Sequence, residues 1–173
     1  GVVAIKASED GAYATMVEVN SETDFVARDE NFLGFVGAVV DKAMSQRITE
    51  VAALAADDIE DARQALVQKI GENISVRRVV AHEVEDGVIG GYVHGNNRIA
   101  VLVSLKGGSE DLARDVAMHI AALNPQVVSP ADMPEEVVAK EREIYAAQAA
   151  DSGKPAEIVE KMIDGRIRKF LAE

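Results

Sequence analysis

GVVAIKASEDGAYATMVEVN, residues 1–20, is the stretch that decides the fold. β-branched residues flank its SEDG segment, and Ser, Asp and Gly are typical turn residues. This pattern predicts two strands joined by a turn. VIGGYVHGNNRIAVLVSL, residues 88–105, repeats the pattern around Gly95-Asn96-Asn97, a sequence that favours positive φ and a tight turn. The chain is therefore predicted to contain two β-hairpins.

The two predicted hairpins align without gaps at an offset of 86 residues, at which Gly1 meets Gly87 and Val17 meets Val103. At the same offset Thr23 meets Ser109, which predicts a hydroxyl N-cap for the helix that follows each hairpin. A shared frame of this kind favours an internal duplication. We expect an α+β fold in which a first subdomain covers residues 1–85.

Helical spacing of apolar residues predicts helices over residues 23–45 and 58–70, the second ending at Gly71. NISVRRVVAHEV, residues 73–84, alternates as a strand. A further helix runs up to Pro125. These elements complete each predicted hairpin with a helix and give the first one a third strand.

Residues 134–173 carry two more helical patterns, separated by Ser152-Gly153-Lys154-Pro155. So short a connection predicts two antiparallel helices. The pair has little of its own to bury, so we expect it to pack on the preceding lobes or to meet a partner helix pair.

Composition and charge exclude several classes of protein. The formal net charge of −12 disfavours direct binding to nucleic acid. The absence of Cys excludes disulfides and zinc–thiolate sites. No apolar run reaches membrane-spanning length and no signal peptide is evident, so we expect a cytoplasmic protein with no membrane partner. The first residue is not Met, and we expect the chain to be a fragment.

Motifs for catalysis, metal binding or nucleotide binding are missing. His82-Glu83 does not continue as the zinc-protease pattern H-E-x-x-H. Lys106-Gly107-Gly108-Ser109 lacks the ending of a phosphate-binding loop, and the following Glu110 and Asp111 would repel phosphate. The residues favour a binding protein over an enzyme, with no cofactor and no metal.

Phe25 is the residue whose position needs an explanation. The chain has four Phe and no Trp, and Phe25 falls in the first turn of the predicted helix, beside Asp24. At the repeat offset it meets Asp111, which predicts a solvent-facing position. An exposed aromatic residue is a typical interface anchor. The alternative, of equal weight, is that Phe25 packs against the sheet or a neighbouring lobe.

Five stretches stand out, in this order along the chain: VEVNSETDFVARDENF from Val17, VQKIGENISVRRV from Val67, Tyr-x-His-Gly at Tyr92–Gly95, AMHIAALNP from Ala117 and GKPAEIVEKMIDGRIRKFLAE from Gly153. Together they resemble motifs of the bacterial elongation factor Ts family, the nucleotide exchange factors of elongation factor Tu.

The resemblance implies two related α+β subdomains and an antiparallel coiled-coil hairpin. The second subdomain would cover residues 86–133 and be incomplete, and the coiled coil would cover 134–173. An N-terminal helical domain, and the segment after the coiled coil that ends in a C-terminal module, are expected to be missing from this chain.

The resemblance also implies a function and a set of site residues. Thr23, Asp24, Phe25 and Val26 would enter the GTPase domain of elongation factor Tu, where Phe25 acts as a wedge near the nucleotide. The wedge disturbs the Mg²⁺ site and the phosphate-binding loop, so that GDP leaves. Further GTPase contacts would come from Ile70, Gly71 and His94, although a solvated turn residue is an equal alternative for His94.

Two functions remain open at this stage. One is guanine-nucleotide exchange during translation elongation, with homodimerisation through the hairpin at 134–173. The other is a non-catalytic dimerising or scaffold fragment that is inactive in exchange because both ends are missing.

Overall fold

A computed structural model describes all residues, Gly1–Glu173, and contains five strands and six α-helices. The strands are β1 Val2–Ala7, β2 Tyr13–Asn20, β3 Ser75–Glu83, β4 Val88–Val93 and β5 Ala100–Leu105. The helices are α1 Glu30–Ser45, α2 Val51–Leu54, α3 Asp57–Ile70, α4 Glu110–Leu123, α5 Glu135–Ala149 and α6 Ala156–Ala172. Short 3₁₀ turns cover Val26–Arg28 and Pro130–Asp132. The predicted mixture of helices with antiparallel strands is confirmed.

The first sheet is antiparallel, in the order β1-β2-β3. The turn between β1 and β2 includes Gly11 at a φ of 67°. One face of β2 is fully buried, because its alternate residues Tyr13, Thr15, Val17 and Val19 point away from water. This face carries the main core of the protein.

Helix α1 packs on that buried face and supplies more residues to the core than any other element. Its buried residues recur at helical spacing, and α3 adds two more. The α1 residues are Phe32, Phe35, Val36, Val39, Val40 and Ala43, and the α3 residues are Ile59 and Leu66.

The second sheet pairs β4 with β5 and lies between β1 and α4. A Cβ on Gly90 would come 2.4 Å from the Cβ of Ala113 in α4, so the backbones approach closely there. A Cβ on Gly91 would come 3.3 Å from Cδ1 of Ile5 in β1. The adjacent glycines therefore let β4 pack on both of its faces.

The two hairpins share one pairing register. Val2 pairs with Val19 in the first, and Val88 pairs with Leu105 in the second. An offset of 86 residues converts one pair into the other, and β4 then covers the positions of β1.

The prediction of one continuous helix over residues 23–45 is wrong. Asp29 has extended backbone, and its Oδ1 accepts hydrogen bonds from the N–H groups of Asn31 at 2.8 Å and Phe32 at 3.2 Å. These bonds make Asp29 the N-cap of α1 and lower the pKa of its carboxyl group. The helix therefore begins at Glu30, and residues 23–28 form a separate turn. Ser109, by contrast, caps α4 as predicted, since its Oγ accepts from Leu112 N–H at 3.1 Å.

The chain divides into two compact units, Gly1–Ala122 and Leu123–Glu173. In the second unit α5 and α6 contact each other, and the side chains of Arg142 and Asp164 form an ion pair at 2.7 Å. Ile163 and Ile167 of α6 are buried, whereas α5 has no buried residue. The two predicted helices of this region are confirmed.

None of the helices combines the length and the apolar composition that crossing a membrane requires.

Candidate functional site

Residues 21–28 form a surface turn, called here the Phe25 turn, in which neighbouring side chains have opposite environments. Phe25 is 87% exposed, while Val26 is 8% exposed and belongs to the main core. The predicted exposure of Phe25 is confirmed, and the alternative that it packs against the sheet is wrong. A large, solvent-exposed aromatic side chain next to a buried residue indicates an interaction surface.

Hydrogen bonds within the turn fix its shape. Thr23 Oγ1 accepts from Val26 N–H at 3.4 Å, and Thr23 O accepts from Ala27 N–H at 3.3 Å. Phe25 O accepts from Arg28 N–H at 3.2 Å. Thr23 therefore caps this short turn and not a long helix, and the backbone of Phe25 is held on both sides.

Glu72 binds the Phe25 turn from the loop at residues 71–73, called here the Glu72 loop. Its Oε1 accepts from Thr23 Oγ1 at 2.6 Å, and its Oε2 accepts from the N–H groups of Thr23 at 3.0 Å and Glu22 at 3.2 Å. These donors, the Thr23 hydroxyl first, lower the pKa of the Glu72 carboxyl group. In the other direction, Glu22 Oε1 accepts from Asn73 N–H at 3.1 Å.

The end of α3 places the Glu72 loop. Gly71 follows the last helical residue with a φ of 82°, in the left-handed region that favours glycine, and its N–H bonds to Val67 O at 2.8 Å. Ile70 is half-buried against the core, and Gly71 is exposed. The structure thus brings the predicted contacts Ile70 and Gly71 beside Thr23, although about fifty residues of sequence separate them.

The turn at residues 94–99, called here the His94 turn, also contacts the Phe25 turn. Arg98 donates a hydrogen bond to Oδ1 of Asp24. His94 is exposed, its Nδ1 lies 3.1 Å from the hydroxyl of Tyr92, and its N–H bonds to Ile99 O at 2.9 Å. Arg98 therefore links the turn that carries His94 to Asp24.

A shallow cleft of about 360 Å³ separates the two turns. Asp24 and Arg28 line one wall, and the segment Gly95–Arg98 lines the other. Leu33 of α1 contributes an apolar side chain to the floor. The cleft adds an indentation beside the exposed ring, so the surface has both a projection and a recess.

Sequence reasoning missed Glu72, Glu22 and Arg98 as part of this surface. Glu72 directly follows Gly71, the glycine that ends α3, so its carboxylate lies beyond the helix and is free to bond to another segment. Their partners are distant in the chain, so no local pattern connects them.

The arrangement has the features of a protein-binding site. No cluster of three or more His, Asp or Glu side chains could hold a metal ion. The surface presents an exposed aromatic ring on a hydrogen-bonded turn, a carboxylate beside it, and two supporting loops. An exposed aromatic side chain on such a turn is typical of an interaction surface.

Comparisons with known proteins identify the family. The family model described as elongation factor TS matches residues 22–173. Elongation factor Ts of Hahella chejuensis is 68% identical over 173 residues, which are 100% of this chain and 60% of that protein. Elongation factor Ts of Saccharophagus degradans is 66% identical over the same length, with the same coverage. The chain belongs to the elongation factor Ts family.

The alignments cover all of this chain but only part of each relative. The chain spans about 60% of the length of the curated relatives it matches first. Both the Phe25 turn from Glu22 onwards and the Glu72 loop lie within the residues that the family model matches.

Proposed function

We propose that this chain is a guanine-nucleotide exchange factor for elongation factor Tu and acts during translation elongation in the cytoplasm. The observation that carries the proposal is the 87% exposure of Phe25 on a turn that hydrogen bonds hold in one conformation. Membership of the elongation factor Ts family supplies the partner and the activity.

Exchange of this kind is a linkage between two binding equilibria. A factor that weakens GDP binding by a given ratio must itself bind the GDP-loaded GTPase more weakly by the same ratio. It therefore has to fit the nucleotide-free conformation better than the loaded one. An aromatic side chain that projects from a hydrogen-bonded turn meets that requirement without an acid, a base or a cofactor, so the chain is proposed not to be an enzyme.

Each site residue has a role in the proposal. Phe25 enters between helices of the GTPase near its nucleotide, Asp24 lies beside it, and Thr23 and Val26 hold them in place. The wedge displaces Mg²⁺ from the GTPase, and this chain binds no metal. Ile70, Gly71 and His94 provide additional contacts. Support comes from the hydrogen bonds by which the Glu72 loop and the His94 turn are each joined to the Phe25 turn.

The direct test is catalysed nucleotide release by the chain as it stands. Elongation factor Tu loaded with fluorescent GDP is mixed in stopped flow with excess unlabelled GDP and increasing amounts of the chain. We expect the release rate to rise with concentration and to saturate. Binding to the GTPase without faster release would contradict the proposal and support the alternative of a non-catalytic scaffold.

We further propose that the helices of residues 134–173 form an antiparallel coiled-coil hairpin through which the chain dimerises. Two isoleucines there face water, Ile144 at 40% and Ile158 at 46% exposure, and α5 buries none of its residues. Apolar side chains exposed on neighbouring helices are suited to a second helix pair.

Sedimentation equilibrium tests the dimer. We expect the chain to sediment as a monomer–dimer mixture, and the double substitution Ile144→Ser, Ile158→Ser to shift the mixture toward monomer. Val128→Ser is the matched control, because Val128 is fully exposed but lies outside both helices. A wild-type chain that stays monomeric at the highest concentration would count against the dimer.

The domain organisation of the chain is also a proposal. We infer that residues 1–85 and 86–133 are subdomains related by duplication, the second incomplete, and that residues 134–173 form a separate hairpin. The shared register of the two β-hairpins at an offset of 86 residues supports this inference.

A further inference from the structure

We infer that Glu72 is the positioning residue for Phe25: its carboxylate fixes the backbone on the N-terminal side of the ring and so sets the direction in which the ring projects. The effect on nucleotide release rests on the proposed function. The effect on the conformation of the Phe25 turn rests on the contacts of the turn alone.

The first observation is that a single carboxylate accepts from donors of two consecutive residues. Thr23 donates both its hydroxyl, at 2.6 Å, and its N–H, at 3.0 Å, while Glu22 donates its N–H at 3.2 Å. Because the donors include both backbone N–H groups and a side-chain hydroxyl, the carboxylate fixes both the position and the orientation of the peptide segment at Glu22 and Thr23. The return bond from Asn73 N–H to Glu22, at 3.1 Å, ties the two loops at a second place.

The second observation is how the restraint reaches Phe25. The Phe25 side chain is almost fully exposed, so packing does not hold it. Val26 anchors the turn on one side through the core, and Thr23 holds it on the other. Thr23 Oγ1 donates to Glu72 while it accepts from Val26 N–H at 3.4 Å, so the carboxylate, the hydroxyl and the Val26 backbone form a chain of hydrogen bonds that spans Phe25.

Loss of the carboxylate has a specific expected consequence. The core keeps Val26 in place and the fold stays intact, but the segment before Phe25 samples several conformations. If only a fraction of molecules present the ring correctly, the apparent dissociation constant rises by the inverse of that fraction. The rate at saturation stays the same, because every bound molecule has the correct conformation. A loss of global stability would give the same kinetic pattern, but it would accelerate amide exchange throughout the core and not only at Glu22 and Thr23.

The test compares Glu72→Ala and Glu72→Gln with Asp61→Asn as the matched control. Asp61 is an exposed carboxylate on α3 with no hydrogen-bonded partner, so its substitution removes the same charge and no contact. Backbone amide hydrogen exchange by NMR gives the structural readout, and the stopped-flow release assay over a concentration series gives the kinetic one.

For Glu72→Ala we expect the amides of Glu22 and Thr23 to exchange about tenfold faster and the half-saturating concentration to rise about tenfold, with the saturated rate within about twofold of wild type. Glu72→Gln retains an acceptor oxygen without the charge, so its increases in amide exchange and in half-saturating concentration should be smaller than those of Glu72→Ala. Asp61→Asn should match wild type in both readouts.

Two results would overturn the inference: unchanged exchange of the Thr23 amide in Glu72→Ala, or a fall in the saturated rate with an unchanged half-saturating concentration. A failure of the proposed function is distinguishable, because Phe25→Ala would then release GDP as fast as wild type. In that case the amide measurement alone still decides whether Glu72 positions the turn.

Discussion

Phe25→Ala is expected to slow the catalysed release of GDP from elongation factor Tu by about thirtyfold at a fixed, sub-saturating concentration of the chain. Truncation of a central aromatic anchor typically costs about 2 kcal/mol or more of binding free energy, and about 1.4 kcal/mol corresponds to a factor of ten. Because the ring is 87% exposed in the free chain, its removal should change the free energy of unfolding by less than about 0.5 kcal/mol.

Stopped-flow release of fluorescent GDP measures the effect, and thermal unfolding shows that the fold is retained. Met118→Ala is the matched control, since Met118 is a large apolar residue of α4 that is also exposed. An undiminished rate for Phe25→Ala, at unchanged thermal stability, would disprove the wedge.

Phe32→Ala should produce the largest loss of stability among the substitutions considered. Phe32 is fully buried where α1 packs on the first sheet, at 0% exposure. Truncation of a buried Phe costs about 3–5 kcal/mol, because the transfer free energy is lost and a cavity remains. That is a large share of the roughly 5–15 kcal/mol that stabilises a typical domain.

Denaturant unfolding followed by circular dichroism measures this loss as a lower midpoint. Leu33→Ala is the control, because Leu33 is the next residue of the same helix and is 36% exposed. Its cost should be about 1 kcal/mol. Equal midpoints for the two variants would contradict the assignment of Phe32 to the core.

The regular elements could be predicted from local patterns because burial imposes a period on the sequence. The β-branched residues on both sides of the SEDG turn predicted β1 and β2, and the apolar spacing of residues 58–70 predicted α3 almost to the residue. Gly71 ended that helix as predicted, since glycine adopts the left-handed conformation without strain.

The start of α1 could not be predicted, because two caps competed in the same stretch. Thr23 and Asp29 are both good N-cap residues, and the apolar spacing runs through the region between them. Asp29 is the cap of α1 since its carboxylate accepts two backbone N–H groups. The comparison of Phe25 with Asp111 at the repeat offset was affected in the same way. Both residues are exposed, but Phe25 lies just before a 3₁₀ turn, whereas Asp111 lies in the first turn of α4.

The supports of the site could not be predicted for a different reason. Glu72 and Arg98 act on residues about fifty or more positions away, and a single sequence carries no periodic signal for such contacts. Phe25 was recognisable because it violates a local expectation. Its supports are ordinary charged residues on a surface that has many, so they were visible only after folding.

The opposite environments of Phe25 and Val26 limit how the length of this loop can vary. Exposed loops usually tolerate inserted or deleted residues at little cost in free energy. Here hydrogen bonds fix both ends of the segment that contains Phe25. Thr23 is bonded to Glu72 at one end, and Asp29 is bonded to the start of α1 at the other. One residue more or fewer in that interval would alter which of two adjacent apolar side chains enters the core. We therefore expect length variants of this loop to lose stability and partner binding together, whereas substitutions at Phe25 separate the two.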